Sequence, residues 1–464
     1  MLWKKIAAST LLVFGAFSLA GCTKSAPPAA YDVNLEVWGI FDDSDAYTQI
    51  LTEYHKINPH AKNIVYRKMP VETYKADLLN ALAAGKGPDI FMIRNAWRSA
   101  FEDKIAPAPD YFMTEREYRD TFVDVAATDF IGVDKKIYGV PLSVDSLALY
   151  YNKDLLNAAG ITRPPVTWEE LEEDVRKLTV VDSFGNIMQS AIALGTASNI
   201  NRATDVLTVI MSQLGSPINT LSDTNRQISL TDGNSAKALD FYESFARVGS
   251  PLYAWNARLH NSIDAFSEGT LAFMINYSWQ YETLQQKNAK LNIGTAPLPQ
   301  FQGTTPVNFA NYWGYAVAKN KPPVESSARN AAPVDPVKQN AIRVHESWQF
   351  LKYMAFAPKN KTVTMRNAID GATRDFPLTL DPTETYLIKT KKPAARRDLI
   401  EKQKDDLILA PFAAGNLIAK NWYQGNPEAV DSIFSDMIDS VYRGEKKIQE
   451  ALSAAASRIN ILLR

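Results

Sequence analysis

The sequence predicts an α/β protein built as two lobes. Three observations lead there. The chain has 464 residues, more than one ordinary hydrophobic core organises. From Val33 to Ile93 strand and helix patterns alternate, which calls for a largely parallel sheet. The alternation begins again at Leu147 with new material.

The elements follow in order. Val33 to Trp38 alternates apolar and polar side chains, the period of a half-buried strand. Gly39 to Ser44 is a loop, and Ala46 to Ile57 is an amphipathic helix stopped by Asn58-Pro59. Asn63 to Met69 is a second strand. Glu72 to Ala84 puts Leu78, Leu79 and Leu82 on one side of a helix, with Gly85 as its C-cap. Asp89 to Ile93 is an apolar strand of the buried, parallel kind. Leu147 to Tyr151, Ala191 to Leu194, Leu271 to Asn276 and Tyr315 to Ala318 read as strands. Asp154 to Ala159 is a short helix closed by Gly160, and Thr167-Trp168-Glu169-Glu170 is a capping box opening a helix to Leu178. Ala203 to Leu214, Ala236 to Val248 and Asn261 to Phe266 are further helices. Lys321 to Val337, rich in Pro, Ala and Ser, is a surface insertion. From Val344 the chain is mainly helical, with clear amphipathic helices at Ala429 to Tyr442 and Ile448 to Leu463.

Lys4 and Lys5 precede an apolar run from Ile6 to Phe17, the layout of a secretory signal. The run is too short to span a bilayer. Leu19-Ala20-Gly21-Cys22 then resembles the lipobox of bacterial lipoproteins, in which cleavage before the cysteine leaves it lipidated. The resemblance implies a signal peptide over 1–21, lipid on Cys22, a tether over 22–31, and work outside the cytoplasm on the cell membrane or periplasmic face. An ordinary signal peptide with a chance cysteine is the other reading. Cys22 is the single cysteine, so no disulfide forms within the chain.

Composition narrows the partners. A formal net charge of -1 with 22% charged residues gives no footprint for nucleic acid or an anionic membrane. His55, His60, His260 and His345 show no ligand spacing, and His345-Glu346 lacks the second histidine of a zinc motif, so neither a metal nor a cofactor is expected. No nucleophile elbow, phosphate-binding loop or dinucleotide fingerprint points to an enzyme.

Four segments in order carry a second resemblance. They are Ala84-Gly85-Lys86-Gly87-Pro88-Asp89-Ile90; Tyr138-Gly139-Val140-Pro141 with Tyr150-Tyr151-Asn152-Lys153-Asp154-Leu155; Pro165-Val166-Thr167-Trp168-Glu169-Glu170-Leu171; and Phe266 to Met274 followed by Trp279. They resemble the extracellular solute-binding proteins of ABC importers, in the branch that includes the maltose-binding protein. The resemblance implies a periplasmic-binding-protein fold, each lobe a mainly parallel sheet flanked by helices, with hinge strands between. Crossings fall near Leu142 to Ser146, near Gly294 to Pro297 and after Asn340. The N-terminal lobe then holds 32–143 and 296–342, the C-terminal lobe 144–295 and 343–464. Expected partners are a mono- or oligosaccharide and an ABC permease, with the protein a monomer. The alternatives are a polyamine or other small solute, service as a ligand sensor for a membrane kinase, and a carbohydrate-active enzyme.

Sugar binding needs aromatic faces for the apolar side of a pyranose and polar groups for its hydroxyls. Trp38, Trp97, Trp279, Tyr312, Trp313 and Trp422 lie at strand ends or on loops, and the resemblance implies stacking roles for Trp279 and Trp422. It also implies ligand contacts for Asp145 and Asp42. Asn95 follows the Asp89 strand beside Arg94. Core packing competes for every tryptophan, and a solvated loop or a cap for each polar group. Trp168 is structural, and Trp255 and Trp348 fit no pattern. The loop Ala197 to Arg202 lacks the aromatic-rich sequence that reads maltodextrins. The basic cluster Lys389, Lys391, Lys392, Arg396 and Arg397 reads as solvated surface, with a permease-docking face as its other reading.

Overall fold

The computed structural model describes residues 32–220, 227–322 and 335–463. The leader 1–21, Cys22, the 22–31 tether and most of the Lys321 to Val337 insertion lie outside the described residues. Among the described residues no helix is long and apolar enough to cross a membrane.

The first sheet has the strand order Trp313–Val317, Ile90–Arg94, Val33–Gly39, Ala61–Lys68. Val33–Gly39 pairs in parallel with both of its neighbours, and Trp313–Val317 closes the edge antiparallel. The Thr48–Ile57 and Tyr74–Ala83 helices make the crossovers that parallel pairing requires. Gly85 ends the second of these with φ +66°, a conformation that suits glycine.

The second sheet has the order Val180–Val181, Ile187–Ile192, Leu271–Asn276, Ala148–Asn152, Ile293–Pro297. Only Ile187–Ile192 with Leu271–Asn276 is a parallel pair. The expectation of a mainly parallel sheet holds for the first lobe and not for this one. Ala148–Asn152 inserts between two strands that run the same way and therefore opposes both. Hydrophobic runs report burial, and these strands are buried whichever way they point. Helix starts behave as read: Thr167 accepts from the Glu170 amide at 3.2 Å, and Glu170 reaches back to the Val166 amide at 2.8 Å.

Two hydrophobic cores define the lobes, and their membership moves the boundaries. Val144 packs in the first core and Leu147 in the second, so the chain first crosses between them. Ala296 and Leu298 remain in the second core; the next crossing comes at Phe309 and Ala310. Trp348, Phe350, Leu351, Tyr386, Leu399 and Ile400 all pack in the first core. The resemblance puts 343–464 in the C-terminal lobe, yet the chain returns to that lobe for good only near Trp422. The Pro336–Ala355 helix is buried on every side from His345 to Leu351, so sequence periodicity does not say which sheet it covers.

The crossings form a compact hinge. Asn308–Phe309 pairs in parallel with Ala419–Lys420, Ser146 bridges Ala310, and Asn416 Nδ2 donates to the Val144 carbonyl at 2.6 Å. Gly415 lies so close to Ser146 that an added Cβ would sit 2.5 Å from its Oγ.

Candidate functional site

The site is built where strand ends of both lobes meet beside this hinge. Asp145 lies in the first crossing and is buried. Its carboxylate accepts the Ser278 amide at 3.0 and 3.2 Å and the Ser278 hydroxyl at 2.6 Å. Burial pushes the Asp145 carboxyl up to about 7, against the pull of the Ser278 hydroxyl and amide. The hinge aspartate thus fixes the turn that carries Trp279.

Trp279 follows the Leu271–Asn276 strand and is 42% exposed. Its ring stacks on Tyr277 with centroids 4.5 Å apart and planes 20° apart. The Arg202 guanidinium lies 5.5 Å from the Trp279 centroid and 5.9 Å from that of Tyr277. The Tyr277 hydroxyl donates to Asp205 at 2.9 Å. Burial raises the Asp205 carboxyl, while the charges of Arg202 and Arg94 oppose that shift. Arg94 belongs to the first lobe, so the two lobes face each other here.

A cleft of about 230 Å³ lies between the lobes. Asn95, Arg98 and Asp129 line it from one side, Asn421 and Trp422 from the other. Asp129 accepts from both sides of it, from Tyr312 Oη at 2.8 Å, Asn95 Nδ2 at 2.9 Å and Asn421 Nδ2 at 3.4 Å. Burial raises its carboxyl despite these three donors. Trp422 is buried, and its Nε1 has no hydrogen-bond partner among the described residues. A ligand oxygen in the cleft would satisfy it.

Trp97 and Trp313 form an aromatic wall in the first lobe, edge to face with centroids 5.0 Å apart. Trp97 also crosses the divide: its Nε1 donates to Glu428 Oε1 at 3.1 Å, and Lys75 Nζ meets Glu428 Oε2 at 2.9 Å.

The structure therefore gathers Asn95, Tyr312 and Trp422 around Asp129, pairs Trp97 with Trp313, and joins Asp145 to the Trp279 turn. It does not bring Trp38 or Asp42 to these groups. Trp38 is buried in the first core with its Nε1 on Glu36 at 2.9 Å. Asp42 is ion-paired to Lys392 at 2.6 Å and accepts the Tyr386 hydroxyl at 2.7 Å, so its carboxylate is spent inside the first lobe. Of the basic cluster, Lys389 and Lys391 are exposed, as a solvated surface requires, and the other three are held by acids. Lys392 holds Asp42, Arg397 holds Asp124, and the fully buried Arg396 is clasped by Asp381 and Asp398.

The sequence profile of the bacterial extracellular solute-binding proteins matches residues 49–332. The chain belongs to that family. Putative binding proteins of Brucella abortus and Brucella suis are 32% identical over 114 residues, a match spanning 24% of this chain and 27% of theirs. The maltodextrin-binding protein MdxE of Bacillus subtilis is 25% identical over 334 residues, covering 69% of this chain and 73% of its own. Among solved structures, a cyclo/maltodextrin-binding protein complexed with maltotetraose superposes with a TM-score of 0.69 at 16% identity, over 92% of this chain and 96% of that one. The cyclic alpha-maltosyl-1,6-maltose binding protein of Arthrobacter globiformis gives 0.71 at 18% identity, over 93% and 99%. The likeness to these structures establishes the periplasmic-binding-protein fold.

Within this solute-binding protein, sequence reading missed Asp129, Arg202, Asp205 and Glu428. Asp129 sits in the Asp124–Phe130 helix, among residues that read as an ordinary polar face. Arg202 is the one with a signal of sorts: it closes the loop singled out for lacking aromatics, and it directly precedes a helix. Trp255 and Trp348, which fit no pattern, are fully buried and donate to Asn199 at 3.0 Å and to the Ala106 carbonyl at 2.9 Å.

Proposed function

We propose that this chain is a lipid-anchored extracytoplasmic receptor that captures a carbohydrate between its lobes and hands the closed form to an ABC permease. The observation that carries the reading is the Trp279 platform. A large ring left 42% exposed beside a hinge carboxylate and the Arg202 guanidinium suits a pyranose face and its hydroxyls. The sugar-binding names of relatives such as MdxE, and the carbohydrate complexes among the structural neighbours, support the same class of ligand.

The mechanism is selection of a closed state by a ligand that touches both lobes. The hinge near Val144, Phe309 and Ala419 turns; Asp129, Asn421 and Trp422 supply polar contacts from both sides. No covalent step enters. Lipid on Cys22 keeps the receptor at the membrane, as the lipobox resemblance implies.

A thermal-shift screen of the purified full chain tests the reading. Mono- and oligosaccharides are compared with polyamines, amino acids and phosphate. A sugar should raise the melting temperature by mass action. A rise only with polyamines or amino acids would replace the ligand class while keeping the fold.

A further inference from the structure

The geometry points to an acidic sugar: Arg202 and Arg94, from opposite lobes, clamp the carboxylate or phosphate of a ligand stacked on Trp279. This deepens the carbohydrate reading and rests on it.

Arg202 carries the argument. It precedes the Ala203–Gln213 helix in a left-handed backbone conformation, φ +67°, which a long side chain seldom adopts without support from its surroundings. Its Nε is buried and makes no hydrogen bond to a described residue. Leaving a buried donor unmade is expensive, and a guanidinium offers its donors as a planar fork. The side chain is held instead by the two stacked rings, with the guanidinium 5.5 Å from the Trp279 centroid. A pyranose lying against that indole would bring its ring substituents to the fork.

Arg94 completes the clamp. It is the last residue of the Ile90–Arg94 strand and is followed by Asn95, a cleft residue. Neither arginine forms an ion pair with a described residue. The acids nearby are committed elsewhere: Asp205 takes the Tyr277 hydroxyl, and Asp431 takes the Thr204 hydroxyl. Two guanidinium groups from opposite lobes, both close enough to act on the Asp205 carboxyl yet in no ion pair with it, match the bidentate recognition of an oxyanion. A neutral hydroxyl would fill only part of each fork.

Calorimetry on the full chain in mild detergent decides it. The probes are di- and trigalacturonate, their methyl esters, glucose 1-phosphate, maltotriose and glucose. The expected result is that a uronide or the sugar phosphate binds at least 10-fold tighter than its uncharged counterpart. That preference should weaken between 0.05 and 0.5 M salt and collapse in Arg202→Gln. Arg94→Gln, at a strand end, serves as the second variant should Arg202→Gln fail to fold. Preference for the uronide over its ester identifies a carboxylate; preference for the phosphate identifies a phosphoryl group. Binding of maltotriose or the esters as tightly as the acids would overturn the clamp and leave the carbohydrate reading standing. An acid preference unchanged in both variants would also overturn it. Failure of every carbohydrate to bind would overturn both.

Discussion

Trp97 Nε1 and Glu428 Oε1 meet at 3.1 Å across the divide between the lobes. The indole belongs to the first core, and the carboxylate heads the Pro427–Tyr442 helix of the second lobe. Lys75 reaches the other oxygen of Glu428 at 2.9 Å. Lys75 and Glu428 are well exposed, so their pair contributes little, and the indole bond is the larger part at about 1 kcal/mol. Glu428→Ala should therefore favour the open form and weaken ligand binding about 5-fold. Small-angle scattering and calorimetry read the two effects; unchanged affinity with an unchanged radius of gyration would deny the latch.

Trp279→Ala should cost roughly 1–3 kcal/mol of binding. The indole is 42% exposed, so the fold loses little, and the melting temperature without ligand should stay within a few degrees. Calorimetry with the best sugar from the screen checks it, and an unaltered dissociation constant would remove Trp279 from the site.

Asp42 should behave oppositely. Its carboxylate is buried between Lys392 and Tyr386, and breaking a buried pair strands the remaining charge. Asp42→Ala should lower stability by about 3 kcal/mol, the low end of such losses because Lys392 is partly exposed. Affinity measured on the folded fraction should not change. A selective loss of affinity would return Asp42 to the ligand.

Asp145 predicts a pH dependence. Its carboxyl titrates near 7 in the folded chain and near 4 when unfolded. Between those values the folded state holds a proton that the unfolded state has released. The stability from this group is therefore full below about pH 4 and is lost as pH rises through about 7. Asp145→Asn keeps an oxygen for the Ser278 donors and carries no charge. Urea unfolding from pH 4 to 8 should give the variant a flatter profile and a relative gain above pH 7. Parallel profiles for the two proteins would refute this account.

The sequence by itself determined the local elements and the family. The alternation from Val33 to Ile93, the Thr167 capping box and the Gly85 stop are local physics, and each stands in the structure within a residue or two. The exposure of Trp279 was legible because it follows from a turn directly after a strand. Tertiary structure alone decided the rest. Which sheet the Pro336–Ala355 helix covers, which way Ala148–Asn152 runs, and where the second and third crossings fall depend on contacts between residues far apart in the chain. The same holds for Asp42 and Arg202. Both are charged residues on loops, and nothing local tells them apart. One found Lys392, 350 residues away, and became part of the interior. The other stands over two aromatic rings, near Asp205 but in no ion pair with a described residue.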